Sequence, residues 1–210
     1  LSLRTLFFVF ALSTLAANSQ SDEYLKKMTD ALSLWEGMEP DKAILILEPL
    51  ANEQSENWIP SYYVGLIHAV MAFMQEDEAS LNKRLTSAKE FVDKAKELDP
   101  NNPEVLVIEA LINTAYIAYD GEKYGMLLAG ENIALFNKMV AIAPDNPRVV
   151  ISKAEWDMGM AEYMNQDQST YCEDIKRSIH LFKEFKSDVP FYPDWGLDRA
   201  EQLIEQCKRP

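Results

Sequence analysis

Two stretches of the chain spell nearly the same turn. Residues 98–110 read LDPNNPEVLVIEA, and forty-four positions later residues 142–154 read IAPDNPRVVISKA. Each copy closes an apolar segment, turns on a proline two residues past a Leu or Ile, and restarts with Asn followed by Pro. Asn suits the N-cap because its side-chain oxygen accepts from free backbone N–H groups, and Pro suits the first helical position, where no N–H is needed. Each copy therefore ends one helix and begins another. A small residue, Ala110 or Ala154, follows the second proline at the same distance of seven, where a neighbouring helix needs close approach. Helix punctuation at a fixed period is the mark of stacked helical hairpins, none of which buries its apolar face alone.

The rest of the chain agrees with this reading. Val and Ile recur at helical spacing, and Asp120-Gly121 separates two helical patterns rather than joining two alternating runs. The expected fold is all-α, with helices over 22–37, 41–53, 60–75, 78–98, 103–119, 122–143, 147–165, 168–187 and 194–207. The connectors are short, so sequential helices should pack antiparallel. The helices starting at Pro60 and Pro103 are apolar nearly all round, whereas their successors are amphipathic, as in LNKRLTSAKEFVDKAKEL. A helix apolar on every side is covered on several sides, so the first helix of each hairpin belongs inside and the second faces water.

The segment AKEFVDKAKELDPNNPEVLVIEA resembles the tetratricopeptide repeat family. Ala88, Ala95 and Pro100 match that family's small, small and proline positions, and Ala110 matches the small position of the next first helix; Gly65, Ala154 and Ala200 look like the same position in neighbouring units. The units run about ten residues longer than the usual repeat, and Glu109 and Lys153 stand where the family has a large apolar residue. The resemblance implies a right-handed α-solenoid of about four antiparallel hairpins, with a C-terminal capping helix from Asp194 to Cys207. It also implies partner binding along the row of first helices.

The first nineteen residues carry one basic residue and an apolar run from Leu6 to Ala17, with small residues at Ala17 and Ser19. That is the pattern of a secretory signal peptide cleaved after Ser19, with an apolar run too short for comfortable membrane insertion, so 20–210 is read as one secreted or periplasmic helical repeat domain. Lys plus Arg is 20 and Asp plus Glu 34; loss of Arg4 with the signal takes the net charge from −14 to −15. Such a surface repels phosphate backbones and anionic headgroups, so nucleic acid and stable membrane insertion are not expected.

Chemistry is sparse. His68 and His180 have no second His three to five residues away, no glycine-rich phosphate loop can be drawn, and the acidic stretches lack the alternate oxygen donors of a calcium loop. No metal, no cofactor and no enzymatic activity are expected. One constellation remains: Glu109, Asn113, Tyr116 and Asp120 share a stripe of an otherwise apolar helix. Lys153 and Asp157 stand at the corresponding place one unit later, and His68 one unit earlier. His68, Glu109, Asn113, Tyr116, Lys153 and Asp157 are thus candidates for binding a peptide or protein partner on the concave face. The competing readings are a structural ladder, such as a Glu109 to Lys153 pair, and a small-molecule or glycan site that uses Tyr116, Tyr119 and Trp156 beside the stripe.

Cys172 and Cys207 are the only cysteines. Cys172 stands about fifteen residues before its helix ends, and Cys207 thirteen or fourteen after the next begins, so at roughly 1.5 Å per residue an antiparallel hairpin sets them level. In a chain bound for an oxidising compartment they are expected to form a disulfide that clips the last helix in place.

Overall fold

The structure, a computed structural model, describes residues 22–207; the expected signal segment 1–19 lies outside them. Among the described residues the chain is all-α, with nine α-helices, one 3-10 turn and no strand. Helix α1 spans 22–36. The others are α2 (Pro40–Glu53), α3 (Trp58–Ala72), α4 (Glu78–Leu98), α5 (Pro103–Tyr119), α6 (Gly121–Ile142), α7 (Pro147–Tyr163), α8 (Cys172–Glu184) and α9 (Leu197–Gln206).

The repeated turn does what its residues dictate. Asn102 accepts from the backbone N–H of Glu104 at 3.0 Å, and Asn146 accepts from those of Arg148 and Val149 at 2.9 and 3.2 Å, each with a proline in the first turn behind it. Asp120 caps α6 through the Lys123 N–H at 2.9 Å. Caps of this kind contribute about 1 kcal/mol each.

Helix α3 packs on α2, α4 and α5, and α5 packs on α3, α4, α6 and α7, so α5 touches both α3 and α7. This explains why α3 and α5 carry apolar residues all round. Ala88, Ala95, Ala110, Ala154 and Ala200 are all buried. Gly65 lets α3 and α4 close up, because a Cβ there would lie 2.9 Å from Val92 Cγ2. One core runs from α1 to α7, and a smaller one, with Ile151, Met158, Ile175 and Leu203, holds α7, α8 and α9 together.

Ion pairs repeat with the fold. Asp41–Arg84, Glu104–Arg148, Glu155–Arg199 and Glu78–Lys123 join residues 43, 44, 44 and 45 positions apart. They link α2 to α4, α5 to α7, α7 to α9 and α4 to α6. The Glu104–Arg148 pair is buried completely: Arg148 Nε and Nη2 donate to Oε2 and Oε1 at 2.6 and 2.9 Å, and Asn146 Nδ2 donates to Oε1 at 2.6 Å. The expected ladder pair Glu109–Lys153 does not form. Glu109 takes Lys96 of α4 at 2.6 Å, and Lys153 takes Asp157 on its own helix. The link at this spacing sits one and a half turns earlier, at the first turns of α5 and α7, where the two helices are in contact.

The C-terminal region departs from expectation. The helix expected over 168–187 begins as a 3-10 turn, Gln168–Tyr171, held by Asp167 accepting from the Ser169 N–H, and α8 ends at Glu184 where Phe185 turns extended. Helix α9 starts at Leu197 rather than 194, because Gly196 has φ +115° and a Cβ there would meet Phe182 Cζ at 2.5 Å. Between them, residues 185–196 run back across the stack. Trp195 Nε1 donates to the Tyr62 hydroxyl at 2.7 Å and the Trp195 carbonyl accepts from Arg148. Tyr192 packs edge-on against Trp58, and Phe191, held at φ 59°, packs edge-on against Tyr24. The segment thereby crosses the N-terminal ends of α7, α5 and α3 and reaches α1. At the other end of the α8–α9 hairpin Cys172 and Cys207 are bonded, with Cα atoms 6.0 Å apart, as the level argument requires.

Candidate functional site

A groove of about 330 Å³ opens between α4, α5 and α6. Helix α5 supplies its floor with Glu109, Ile112, Asn113 and Tyr116, α4 one wall with Val92 and Lys89, and α6 the other with Tyr124, Leu127, Leu128 and Glu131. The walls are aliphatic and aromatic, and Lys89, Leu127 and Glu131 stand exposed at the rim. The size falls within the range of small-molecule sites, and so does the mix of apolar lining with few polar groups.

The polar groups on the floor are incompletely matched. Glu109 Oε1 accepts from Lys96, but Oε2 is buried with no hydrogen-bond partner in the protein, and Asn113 Nδ2, on a side chain only 8% exposed, is buried without one as well. The two residues stand four apart on α5, about one turn from each other. A buried polar atom left unmatched costs roughly 1–3 kcal/mol, and both His68 ring nitrogens and Asn132 Oδ1, outside the groove, share that condition.

Tyr116 and Tyr124 face each other at the end of the groove, with ring centroids 4.9 Å apart and planes at 42°. The Tyr124 hydroxyl donates to Glu78 Oε1 at 2.5 Å, and Glu78 also pairs with Lys123. This contact joins the starts of α4 and α6 and holds the Tyr124 ring as a wall. The hydrogen bond to Glu78 raises the Tyr124 pKa, and burial, with the nearby Glu78 charge second, raises that of Tyr116. Both phenols stay protonated at neutral pH.

The six residues expected to bind a partner thus divide into three places. Glu109, Asn113 and Tyr116 share the groove. Lys153 and Asp157 pair with each other on α7. His68 is buried against α2, its Nε2 3.5 Å from the Glu48 carboxylate, within ion-pair reach but outside hydrogen-bond geometry, and neither ring nitrogen has a hydrogen-bond partner. Burial lowers the His68 pKa, with Glu48 working in the opposite direction. Trp156 is buried and stacks on Phe136, and Tyr119 is partly exposed at the end of α5; neither lines the groove. Helical spacing along α5 does not report the walls that α4 and α6 provide. The available signal was the run YGMLL at 124–128, more apolar than the outer helix of a hairpin needs to be.

Among the described residues no group of three or more His, Cys, Asp or Glu is placed to hold a metal ion, and no helix is long and apolar enough to cross a membrane. No family model matches the sequence, and no curated protein matches it. Among solved structures, the HusA haemophore from Porphyromonas gingivalis superposes with a TM-score of 0.76 at 18% identity, over 90% of this chain and 92% of that one. At that identity the likeness is one of fold: this chain shares the helical architecture of HusA along nearly its whole length.

Proposed function

We propose that this chain is a secreted, non-catalytic binding protein whose groove between α4, α5 and α6 takes a flat apolar ligand of the porphyrin class, haem included. The observation that carries the reading is the groove itself, a largely apolar slot whose lining includes the two polar side chains Glu109 and Asn113. Leu128 offers a face for a ring system over the buried Val92 and Ile112, and Tyr116 and Tyr124 an aromatic end, while Lys89 at the rim, now paired with Asp93, suits a carboxylate on the ligand's edge. The fold shared with a haemophore supports this choice among flat ligands.

No His, Cys or Met lines the groove, and the two phenols are held protonated, so the residues present do not fit iron coordination through a side chain. Binding by stacking and edge contacts is the mode the lining fits, and it treats metal-free porphyrin and haem alike. The tetratricopeptide-like solenoid with four hairpins and a cap remains our reading of the architecture, motivated by ion pairs that recur at 43 to 45 residues. A peptide along the row of first helices is disfavoured, because residues 185–196 lie across the N-terminal ends of α3, α5 and α7. The Cys172–Cys207 bond suits an oxidising compartment, in keeping with a secretory signal at 1–19 and a mature domain from residue 20.

The test is a titration of the mature chain with haem and with metal-free protoporphyrin, followed by the Soret band and by quenching of intrinsic fluorescence. Saturable one-to-one binding of both, lost in a folded Leu128→Trp variant that fills the groove, is expected. Absence of saturable binding, or equal binding by the variant, overturns the proposal.

A further inference from the structure

Helices α4 and α6 hold the same position in successive hairpins, yet their outer faces differ. Exposed positions of α4 carry Lys83, Thr86, Lys89, Glu90 and Glu97, with Ala79 and Leu98 at its two ends. Those of α6 carry Met126, at 96% exposure, with Leu127, Ile133 and Val140, interleaved with Gly130, Ala134 and Ala141 and flanked by Glu122, Lys123, Glu131, Asn137 and Lys138. Met126, Ile133 and Val140 fall seven residues apart and form one ridge along the helix, beside a shallow row of small residues. A mid-helix glycine costs helix stability, and at Gly130 the chain makes no use of the space, since nothing lies within 4 Å of where a Cβ would stand. At Gly65, by contrast, a neighbouring helix fills it.

We infer that the α6 face docks a second copy of this chain, two α6 helices pairing antiparallel about a two-fold axis near Ile133 and Ala134. The register is self-complementary in size: Met126 meets Ala141 of the second copy, Ile133 meets Ala134, and Gly130 admits Asn137. It is complementary in charge as well, because Glu131 of one copy comes within a turn of Lys138 of the other, whose ammonium also donates to the Pro100 carbonyl. A two-fold contact repeats each of these pairings. The stripe from Met126 to Ile142 is roughly 25 Å long and about 10 Å wide, so two copies bury on the order of 500 Å² between them, under the ~1,200 Å² lower edge of stable interfaces. The dimer is therefore a weak, reversible one. Leu127 belongs both to this face and to the groove wall, so the second copy sits over the groove's rim, with its Val140 against Leu127.

The experiment uses the mature chain without ligand, so its outcome does not depend on the porphyrin reading. Sedimentation velocity from low to high micromolar concentration should show a monomer–dimer equilibrium. Ile133→Glu, at an exposed position that leaves the fold intact by circular dichroism, should raise the dissociation constant about 100-fold or more, and Met126→Glu should act in the same direction. Ala134→Cys, beside the axis, should give a covalent dimer under mild oxidation, while Glu97→Cys on α4 should not. A chain that stays monomeric throughout overturns the inference. So do a dimer indifferent to both glutamates, equal cross-linking by the two cysteine variants, or a monomer that binds phosphatidylcholine vesicles through Met126 instead.

Discussion

Replacing Arg148 with Met should be among the most damaging single changes in the molecule. The guanidinium is 0% exposed, donates twice to Glu104, and lies with its carbon 4.6 Å from the centre of the Phe185 ring. Its loss leaves the Glu104 carboxylate buried with only Asn146 and, at 3.3 Å, the Tyr192 hydroxyl. Breaking a buried pair from one side costs roughly 3–5 kcal/mol, because the remaining charge has no water to turn to. In a chain of this size that is a fall in Tm of roughly 6–20 °C. Glu104→Leu should cost a similar amount from the other side. The double variant, Glu104→Leu with Arg148→Met, removes both charges and leaves only the neutral Asn146 and Tyr192 groups short of a partner, so it should be more stable than either single change. The assay is urea unfolding followed by circular dichroism, read as a double-mutant cycle. A cost for Arg148→Met below about 1 kcal/mol, or a double variant that loses the full sum of the singles, refutes the reasoning.

Two further outcomes follow from the same structure. The Cys172–Cys207 bond closes a span of 35 residues, which corresponds to about 3–4 kcal/mol of chain entropy, so reduction should lower the Tm, and the denatured, unreduced protein should titrate no free thiol. His68 carries a pKa lowered by burial, with Glu48 raising it and Arg84 lowering it in smaller measure. The unfolded chain takes up a proton near pH 6.5 that the folded chain resists, so stability should fall as pH drops from 6.5 toward the folded value, and His68→Gln should flatten that slope in unfolding experiments across pH 5 to 8.

The helical architecture was legible because its signals are local. Asn102-Pro103 and Asn146-Pro147 announce helix starts through hydrogen bonds within three residues, and the buried alanines show where helices approach. The disulfide was legible because rise per residue converts two positions into a level. The groove was legible by half: Glu109, Asn113 and Tyr116 share a face of α5 by helical spacing, whereas Val92, Tyr124 and Leu128 reach it only through the packing of α4 and α6, which spacing does not report. A structural ladder, the competing reading of the stripe, would pair Glu109 with Lys153; the pair forms instead at Glu104 and Arg148, although both sets are forty-four residues apart. What decides between them is where α5 and α7 are close, at their first turns, and which partner lies nearer, as Lys96 does for Glu109. The return of residues 185–196 across the stack had no local signal, since Phe191, Tyr192 and Trp195 find Tyr24, Trp58 and Tyr62 more than a hundred residues away.

The central claim is that a flat ligand occupies the groove between α4, α5 and α6. Hydrogen exchange measured by mass spectrometry on the mature chain, free and saturated with metal-free protoporphyrin, tests it most directly. The account predicts new protection over residues 109–116 of α5 and 124–131 of α6, with little change over 185–196. Protection confined to 185–196 and the starts of α3, α5 and α7, or none at all under saturation, contradicts it.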